Sequence, residues 1–306
     1  MIVVAAVPLL VGALLFCAVR PCARRLPPAL AVRLLTVLAL SVALCSGLVL
    51  SVLAVLVGAQ LGPMPQIGNW SAEAIRRESD LPVLAGLAAL LIVAGFLTSA
   101  AIQAGRSLRD LTRARRLAQT LHPVGDTLVL IEDEVPTAYA VAGAGGRVVV
   151  STSMLRALSA PERRVLIAHE RAHLRHGHHI YLHLARLAAA ANPLLRPTAD
   201  AVAASVERWA DEEAAAEVGD RQLAAHTLAK AALVRTERCG SHEALAIAES
   251  YVVERVQALL APPTHRRRSL ASLVLLGFGA SWAAAATVAL WGNNVVQIAE
   301  AVYHHR

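Results

Sequence analysis

The sequence is poor in lysine, aromatic residues and cysteine. Lys230 is the only lysine among 29 basic residues, and phenylalanine, tryptophan and tyrosine together make up 4% of the 306 positions. The four cysteines are Cys17, Cys22, Cys45 and Cys239, and no pair of them has the spacing of a metal-binding motif. This pattern excludes a cysteine-ligated zinc site and does not indicate a disulfide framework, so we expect free thiols.

Glycine-rich nucleotide-binding motifs are also missing. The glycine cluster "AGAGG" at 142–146 is not followed by Lys-Ser/Thr, and it is not arranged as a dinucleotide-binding fingerprint. We interpret it as a turn that joins two short strands in "TAYAVAG" and "GRVVVSTSML".

Charged residues are absent from four long apolar blocks in a chain whose mean hydropathy is +0.53. The blocks cover about 1–19, 34–58, 81–102 and 269–291. Each approaches or exceeds the roughly 20 residues that a helix needs to cross a bilayer. No basic residue precedes the first block, so we interpret it as a membrane anchor rather than a cleaved signal peptide. The sequence therefore predicts four transmembrane helices and the lipid bilayer as a partner.

Arginines gather beside these blocks and predict their orientation. They lie between the first two blocks, after the third and before the fourth: Arg20, Arg24, Arg25, Arg33, Arg106, Arg109, Arg113, Arg115, Arg116, Arg266, Arg267 and Arg268. If these ends face the cytoplasm, the chain begins outside, places 103–268 inside and ends outside. The net charge of +7 then reflects membrane topology, and we expect no nucleic-acid partner. The heavy use of arginine and alanine is typical of a GC-rich bacterial genome, which makes the plasma membrane of a bacterium the expected location.

The stretch "IAHERAHLRHGHHIYLH" carries six histidines. His169 and His173 are four residues apart, so on a helix they share one face and can hold one zinc ion. Glu170, between them, can act as the base that takes a proton from zinc-bound water. The helix has a strong start signal, because Ser159 is followed three residues later by Glu162. The pattern predicts a zinc hydrolase site.

A third protein ligand has two candidates. His179 lies ten residues after His169, as in the H-E-x-x-H-x-x-G-x-x-H proteases, but Gly177 is one place late for that motif. The alternative is Glu207 in "VERWADEEAA", with Asp211 four residues later on the same helix face. Glu207 could bind the metal and Asp211 could fix the tautomer of a zinc histidine. Beside an H-E-x-x-H helix we favour Glu207 over a solvated acidic face.

The other histidines have less specific interpretations. His176, His178, His179 and His183 are expected to be polar residues near the helix end, where cations suit the helix dipole, although a second metal site is conceivable. Downstream, "LAAHTLAK" and "GSHEALA" each contain one histidine that could stabilise an oxyanion, and the sequence does not choose between them.

These motifs together resemble the membrane zinc metallopeptidases of the BlaR/MecR type, which are related to HtpX and the CAAX prenyl endopeptidases. The features that match in order are "TAYAVAG", "HERAH", the "NP" of "ANPLLRP" and "ERWAD", within residues 137–211. The resemblance implies one Zn²⁺ per chain on His169, His173 and Glu207. It also implies Glu170 as catalytic base and Asp211 as the partner of a ligand.

The resemblance further implies a fold and a substrate. The expected fold is an α-helical membrane protein with four transmembrane helices and a mostly α cytoplasmic zincin-like metallopeptidase domain carrying a small β-sheet. We expect a membrane region at 1–104, the peptidase domain at 105–268, and a fourth helix with a short outer tail at 269–306. Ala138, Tyr139 and Ala140 would pair with an extended protein or peptide substrate, such as a BlaI-like repressor in a signalling pathway.

The sequence also departs from that family. It lacks the S-x-x-K, S-D-N and K-T-G motifs of a penicillin-binding domain, so we do not expect direct antibiotic sensing. Two other functions compete with proteolysis. A non-catalytic signalling or scaffold protein with a structural zinc site would not need Glu170 as a base. A metal transporter would place ionisable residues inside the apolar blocks, which contain almost none.

Overall fold

The protein is almost entirely helical in the computed structural model. Cys239, Arg266 and Arg267 lie outside the residues that it describes. Those residues are 1–61, 64–79, 81–123, 127–143, 145–236, 242–262 and 268–305.

Among the described residues, four helices are long and apolar enough to cross a membrane. They are α1 (Ile2–Arg24), α2 (Pro28–Gly58), α5 (Val83–Thr120) and α12 (Arg268–His304). Two short helices, α3 (Met64–Gly68) and α4 (Ala72–Ser79), connect the second to the third. The four apolar blocks thus form the four predicted helices.

Helix α12 extends well past the apolar block that predicted it. We expected a short tail after about residue 291, but the helix continues to His304. Val295 and Ala299 are buried against Leu56 and Ile75, so packing on α2 and α4 stabilises the extra turns. Helix α5 likewise runs beyond its apolar block into the basic stretch up to Thr120.

A three-stranded sheet lies next in the chain. Its strands are β1 (Leu128–Ile131), β2 (Ala138–Val141) and β3 (Arg147–Ser151), in the order β1-β3-β2. Strand β1 is parallel to β3, and β2 is antiparallel to β3, which leaves β2 at an edge. The predicted glycine turn joins β2 to β3, and Gly145 and Gly146 have φ values of 85° and 41° that other residues rarely adopt.

The remaining helices build the region that carries the histidine motif. They are α6 (Thr152–Ala157), α7 (Ala160–Arg175), α8 (His178–Ala191), α9 (Arg196–Val218), α10 (Arg221–Thr236) and α11 (His242–Leu260). Helix α7 begins with the predicted capping box, in which the Ser159 amide donates to the Glu162 carboxylate at 2.6 Å. Lys230 of α10 donates to the same carboxylate at 2.8 Å, which holds α10 against the start of α7.

Helices α8 and α9 pack directly against the membrane helices. We expected α8 to lie on the domain or at the membrane surface, and it packs on α2. One buried cluster joins α8 and α9 to the membrane helices α1 and α2. It contains Val19, Val32, Leu35, Ala185, Val202, Val206 and Trp209. The zinc-motif region and the membrane helices therefore share a core.

Candidate metal centre

Helix α7 presents its two histidines on one face, as their spacing requires. The Nε2 atoms of His169 and His173 are 3.2 Å apart. Both side chains are mostly buried, and Glu170 beside them is buried too. The helix thus places two imidazole nitrogens and a carboxylate at the same point.

Helix α9 brings Glu207 to the same point. Its Oε2 atom is 3.6 Å from His169 Nε2, and its Oε1 atom is 3.7 Å from His173 Nε2. Tetrahedral zinc sites with bonds of about 2.0–2.2 Å place neighbouring donor atoms roughly 3.3–3.5 Å apart. The donor set and its spacing therefore fit one zinc ion with a fourth position left for water, and these three residues form a cluster that could hold a metal.

Asp211 sits one turn after Glu207 and contacts the other side of His169. Its Oδ1 atom is 3.0 Å from His169 Nδ1, and the carboxylate is buried. A hydrogen bond from Nδ1–H to this carboxylate leaves Nε2 of His169 free to bind a metal. The contact places Asp211 beside a histidine of the motif, and its role as the partner of a zinc ligand stays a prediction.

Arg255 of α11 is a site residue that the sequence analysis missed. Its Nε and Nη2 atoms donate to the two oxygens of Asp211 at 2.8 and 2.7 Å, and its Nη1 atom lies 3.1 Å from Glu207. It thereby balances the buried Asp211 carboxylate and the partly exposed Glu207 carboxylate and holds both in place. Its distance along the chain gave no spacing signal; the need of a buried carboxylate for a cation was the only clue.

His178 has a role that differs from our expectation. We expected a polar residue near a helix end, but His178 is fully buried and its Nδ1 atom lies 3.0 Å from Nδ1 of His173. If His173 donates through Nδ1, its Nε2 points toward the proposed metal. Gly177, with φ of 61°, makes this contact possible because it ends α7 and turns the chain back.

Trp209 lies behind these histidines. Its ring centroid is 4.5 Å from that of His176 and 4.8 Å from that of His178. The guanidinium of Arg33, at the start of α2, lies 5.0 Å from the Trp209 ring. Aromatic and cation–π contacts thus connect a membrane helix to the histidine that supports His173.

The charges around the cluster perturb its pKa values in different directions. Burial alone would lower the pKa of His169, but hydrogen bonds to Asp211 and Glu207 outweigh it and raise the pKa to about 10. Burial and the neighbouring His169 lower the pKa of His173 to about 4. Burial raises the pKa of Glu170, which makes its carboxylate a better proton acceptor. A metal ion at the cluster would compete with protons for the two imidazoles.

A cavity of about 290 Å³ opens beside the cluster. Ala138, Tyr139, Glu170 and Arg235 are among its lining residues. Ala140 lines a second cavity of about 230 Å³, which Glu170 also borders. The edge strand β2 thus runs past the cluster and contacts both cavities.

Two of the three predicted substrate-pairing residues already have backbone partners, since Tyr139 pairs with Val149 of β3. The carbonyl of Ala138 accepts a hydrogen bond of 3.2 Å from Nη2 of Arg235. Since carbonyls alternate along a strand and Thr137 points its carbonyl at β3, those of Ala138 and Ala140 point away from the sheet. Ala140 is therefore the residue whose backbone best suits an added strand.

Among the described side chains, no other candidate histidine joins the cluster. His179 borders the second cavity but does not join the group of potential metal ligands among the described residues. His183 lies 3.0 Å from Ser107 of α5. His226 lies 3.3 Å from Glu162, away from the metal cluster, and the side chain of His242 is outside the described part of the chain.

Comparison with known families adds an independent observation. Residues 106–268, slightly more than half of the chain, match the model of peptidase family M48. Comparison with curated proteins and with solved structures finds no match. The matched segment begins within α5 and contains the sheet, α7 and the whole residue cluster.

Proposed function

Because the chain belongs to peptidase family M48, we propose that it is an integral-membrane zinc-dependent endopeptidase. The family supports a metallopeptidase, and the four apolar helices support a membrane protein. The narrower proposal is that the enzyme cuts a cytoplasmic or membrane-proximal protein substrate, with His169, His173 and Glu207 as ligands of one zinc ion.

The spacing of three donor atoms is the observation that carries this proposal. The edges of 3.2, 3.6 and 3.7 Å between His169, His173 and Glu207 fit a tetrahedral ion with one position free. A structural zinc site usually fills all four positions with protein ligands. The open position, beside a buried Glu170 and a cavity, therefore favours catalysis over a scaffold role.

Glu170 would move the proton. When bound, zinc would lower the pKa of its water and polarise the scissile carbonyl. The Glu170 carboxylate would accept the water proton and deliver it to the leaving amide nitrogen. Burial favours this exchange, because it raises the carboxyl pKa towards that of a group that both takes and returns a proton.

The edge strand β2 would hold the substrate. An extended peptide can add to a free sheet edge through main-chain hydrogen bonds. Ala140 offers such an edge, while Tyr139, which is 41% exposed, and the Ala138 carbonyl with its Arg235 partner flank it. A BlaI-like repressor, which the BlaR/MecR resemblance implies, remains one specific form of this substrate hypothesis.

The decisive experiment compares protein N-termini in host cells that carry wild-type protein or the Glu170→Gln variant. We expect the variant to keep its zinc and to lose cleavage by roughly 100-fold or more, because a general base contributes about that much. New N-termini that disappear in the variant would identify the substrate, including a repressor.

Glu217→Gln is the matched control. Glu217 lies on the same helix as Glu207 but pairs with Arg175 on the exposed surface, at 3.2 Å. This control should cleave as the wild type does. Undiminished cleavage by Glu170→Gln would remove Glu170 from the mechanism. A wild-type protein that binds zinc but cleaves nothing would favour the scaffold alternative.

We further propose that the zinc-motif region faces the cytoplasm of a bacterium. The arginines that follow α5 support this orientation through the positive-inside rule. Single cysteines in a cysteine-free background, at Arg113 and at Gln66 of α3, can be labelled with a membrane-impermeant maleimide. We expect the α3 position to be labelled in intact cells and position 113 to be labelled only after permeabilisation. The reverse pattern would show the opposite topology.

A further inference from the structure

A third cavity lies where the peptidase region meets the membrane helices, and none of its lining residues belongs to the metal cluster. Its volume is about 280 Å³. Arg20 and Arg24 from the end of α1, Arg208 from α9, and Ser205 and Tyr251 are among its lining residues. Three arginines, a serine and a tyrosine thus border one partly open space, which Asp200 and Glu254 also line.

Two carboxylates balance the arginines only in part. Arg20 lies 3.5 Å from Asp200 in a pair whose side chains are 68% and 67% exposed, so solvent weakens this pair. Arg24 donates to Glu254 at 2.6 Å. Arg208 donates to the Ala23 carbonyl at 3.4 Å, and its guanidinium makes no other hydrogen bond to the described residues, so it can donate to a ligand. The cavity therefore has an excess positive charge and unused hydrogen-bond donors.

The position of the cavity selects the kind of anion. The arginines Arg20 and Arg24 follow directly after the apolar part of α1, at the depth where a bilayer places its headgroups. Basic pockets between helices at this depth bind anionic lipid headgroups, and an arginine fork matches phosphate oxygens. A phosphate group linked to lipid tails would reach the cavity without leaving the bilayer.

We propose that this cavity binds a phosphate anion, carried by the headgroup of an anionic phospholipid. The phosphate contacts Arg20 and Arg208 from opposite elements, α1 and α9, and Ser205 and Tyr251 supply further donors. Binding ties the membrane helix to the peptidase region beside the metal cluster, because Arg208 follows Glu207 in α9.

The test uses the full-length protein in nanodiscs that contain phosphatidylcholine and phosphatidylglycerol. Native mass spectrometry of the released protein counts the lipids that stay bound. We expect wild type to retain phosphatidylglycerol selectively. The R20A/R208A variant should bind this lipid with an affinity lower by on the order of 25-fold, since each arginine near an anionic surface contributes about fivefold in affinity.

Two further variants separate a built site from general charge. R25A/R113A removes two exposed arginines outside the cavity and should retain the lipid as wild type does. Ala204→Phe keeps every charge but fills the cavity that Ala204 lines, so this variant should not retain the lipid. It also tests the proposal if the R20A/R208A variant does not fold. Equal retention by wild type and A204F, or equal loss in R25A/R113A, would overturn the proposal.

Inorganic phosphate distinguishes the source of the anion. In nanodiscs of phosphatidylcholine alone, thermal unfolding is followed with and without added phosphate. No stabilisation of wild type, together with retained phosphatidylglycerol, supports the lipid. Stabilisation of wild type but not of R20A/R208A, without selective lipid retention, would overturn the lipid source in favour of free phosphate. Both readouts are independent of peptidase activity.

Discussion

At the scale of single residues, the proposed zinc site involves side chains that orient the candidate ligands as well as the candidate ligands themselves. Asp211 contacts Nδ1 of His169, and His178 contacts Nδ1 of His173, each at 3.0 Å. Each contact fixes which ring nitrogen of a ligand is free for a metal. The two histidines of α7 are therefore oriented by different partners, one acidic and one neutral.

His178 offers a direct test of this arrangement. We expect His178→Ala to weaken zinc affinity by roughly 10- to 100-fold, as loss of a ligand's hydrogen-bond partner typically does. Affinity is measured by competition with a zinc chelator. Unchanged affinity would show that the contact between His178 and His173 does not orient the ligand.

His176→Ala is the control for that measurement. His176 stacks on the same Trp209 ring but contacts Glu213 at 3.3 Å instead of a proposed ligand. It should bind zinc nearly as well as wild type. A similar loss in both variants would assign the effect to packing around Trp209.

How far the sequence predicts the site depends on the distance over which residues act. His169, His173, Glu207 and Asp211 were predictable because each pair is four residues apart on one helix, and helical geometry alone places such residues on one face. The meeting of α7 and α9 was expected because zinc needs a third protein ligand beside the H-E-x-x-H helix, and the family resemblance implied the same. Arg255 was not predictable, because it lies 44 residues after Asp211 in the chain and on a different helix.

At the scale of helices, Arg255 joins α11 to α9 at the metal cluster. Removing it deprives the buried Asp211 carboxylate of its two-bond cation partner and removes one partner of the partly exposed Glu207. We expect Arg255→Ala to lower the free energy of unfolding by about 3 kcal/mol, as does the loss of one partner of a buried ion pair. Zinc affinity should fall as well, and thermal unfolding of the zinc-loaded and chelator-treated protein measures both effects.

Arg221 provides the comparison at the same scale. It also joins α9 to α11, since it contacts Glu212 and donates to the Leu259 carbonyl at 3.0 Å. Among the described residues, none of its hydrogen bonds reaches a proposed ligand. Arg221→Ala should destabilise the protein without a specific loss of zinc affinity. An Arg255→Ala variant with wild-type stability and zinc binding would contradict the proposed role.

At the scale of the whole molecule, the peptidase region packs against the membrane helices through a shared buried cluster. Helix α9, which carries the proposed ligand Glu207, and the neighbouring α8 bury Ala185, Val202 and Val206 against Val32 and Leu35 of α2. Sequence patterns identified the apolar blocks by their length. They could not show that small and branched residues of α8 and α9 pack on those blocks, because tertiary contacts leave no regular period in the sequence.

This shared core predicts the behaviour of residues 105–268 expressed without the membrane helices. The fragment would expose Val202, Val206 and the face of Trp209 that contacts Arg33, a patch of the kind that causes association in water. We expect it to aggregate and to bind zinc more weakly than the full chain, because Trp209 packs on His178. Size-exclusion chromatography and chelator competition measure both properties. A monomeric fragment with full zinc affinity would show instead that the peptidase region folds independently of the membrane helices.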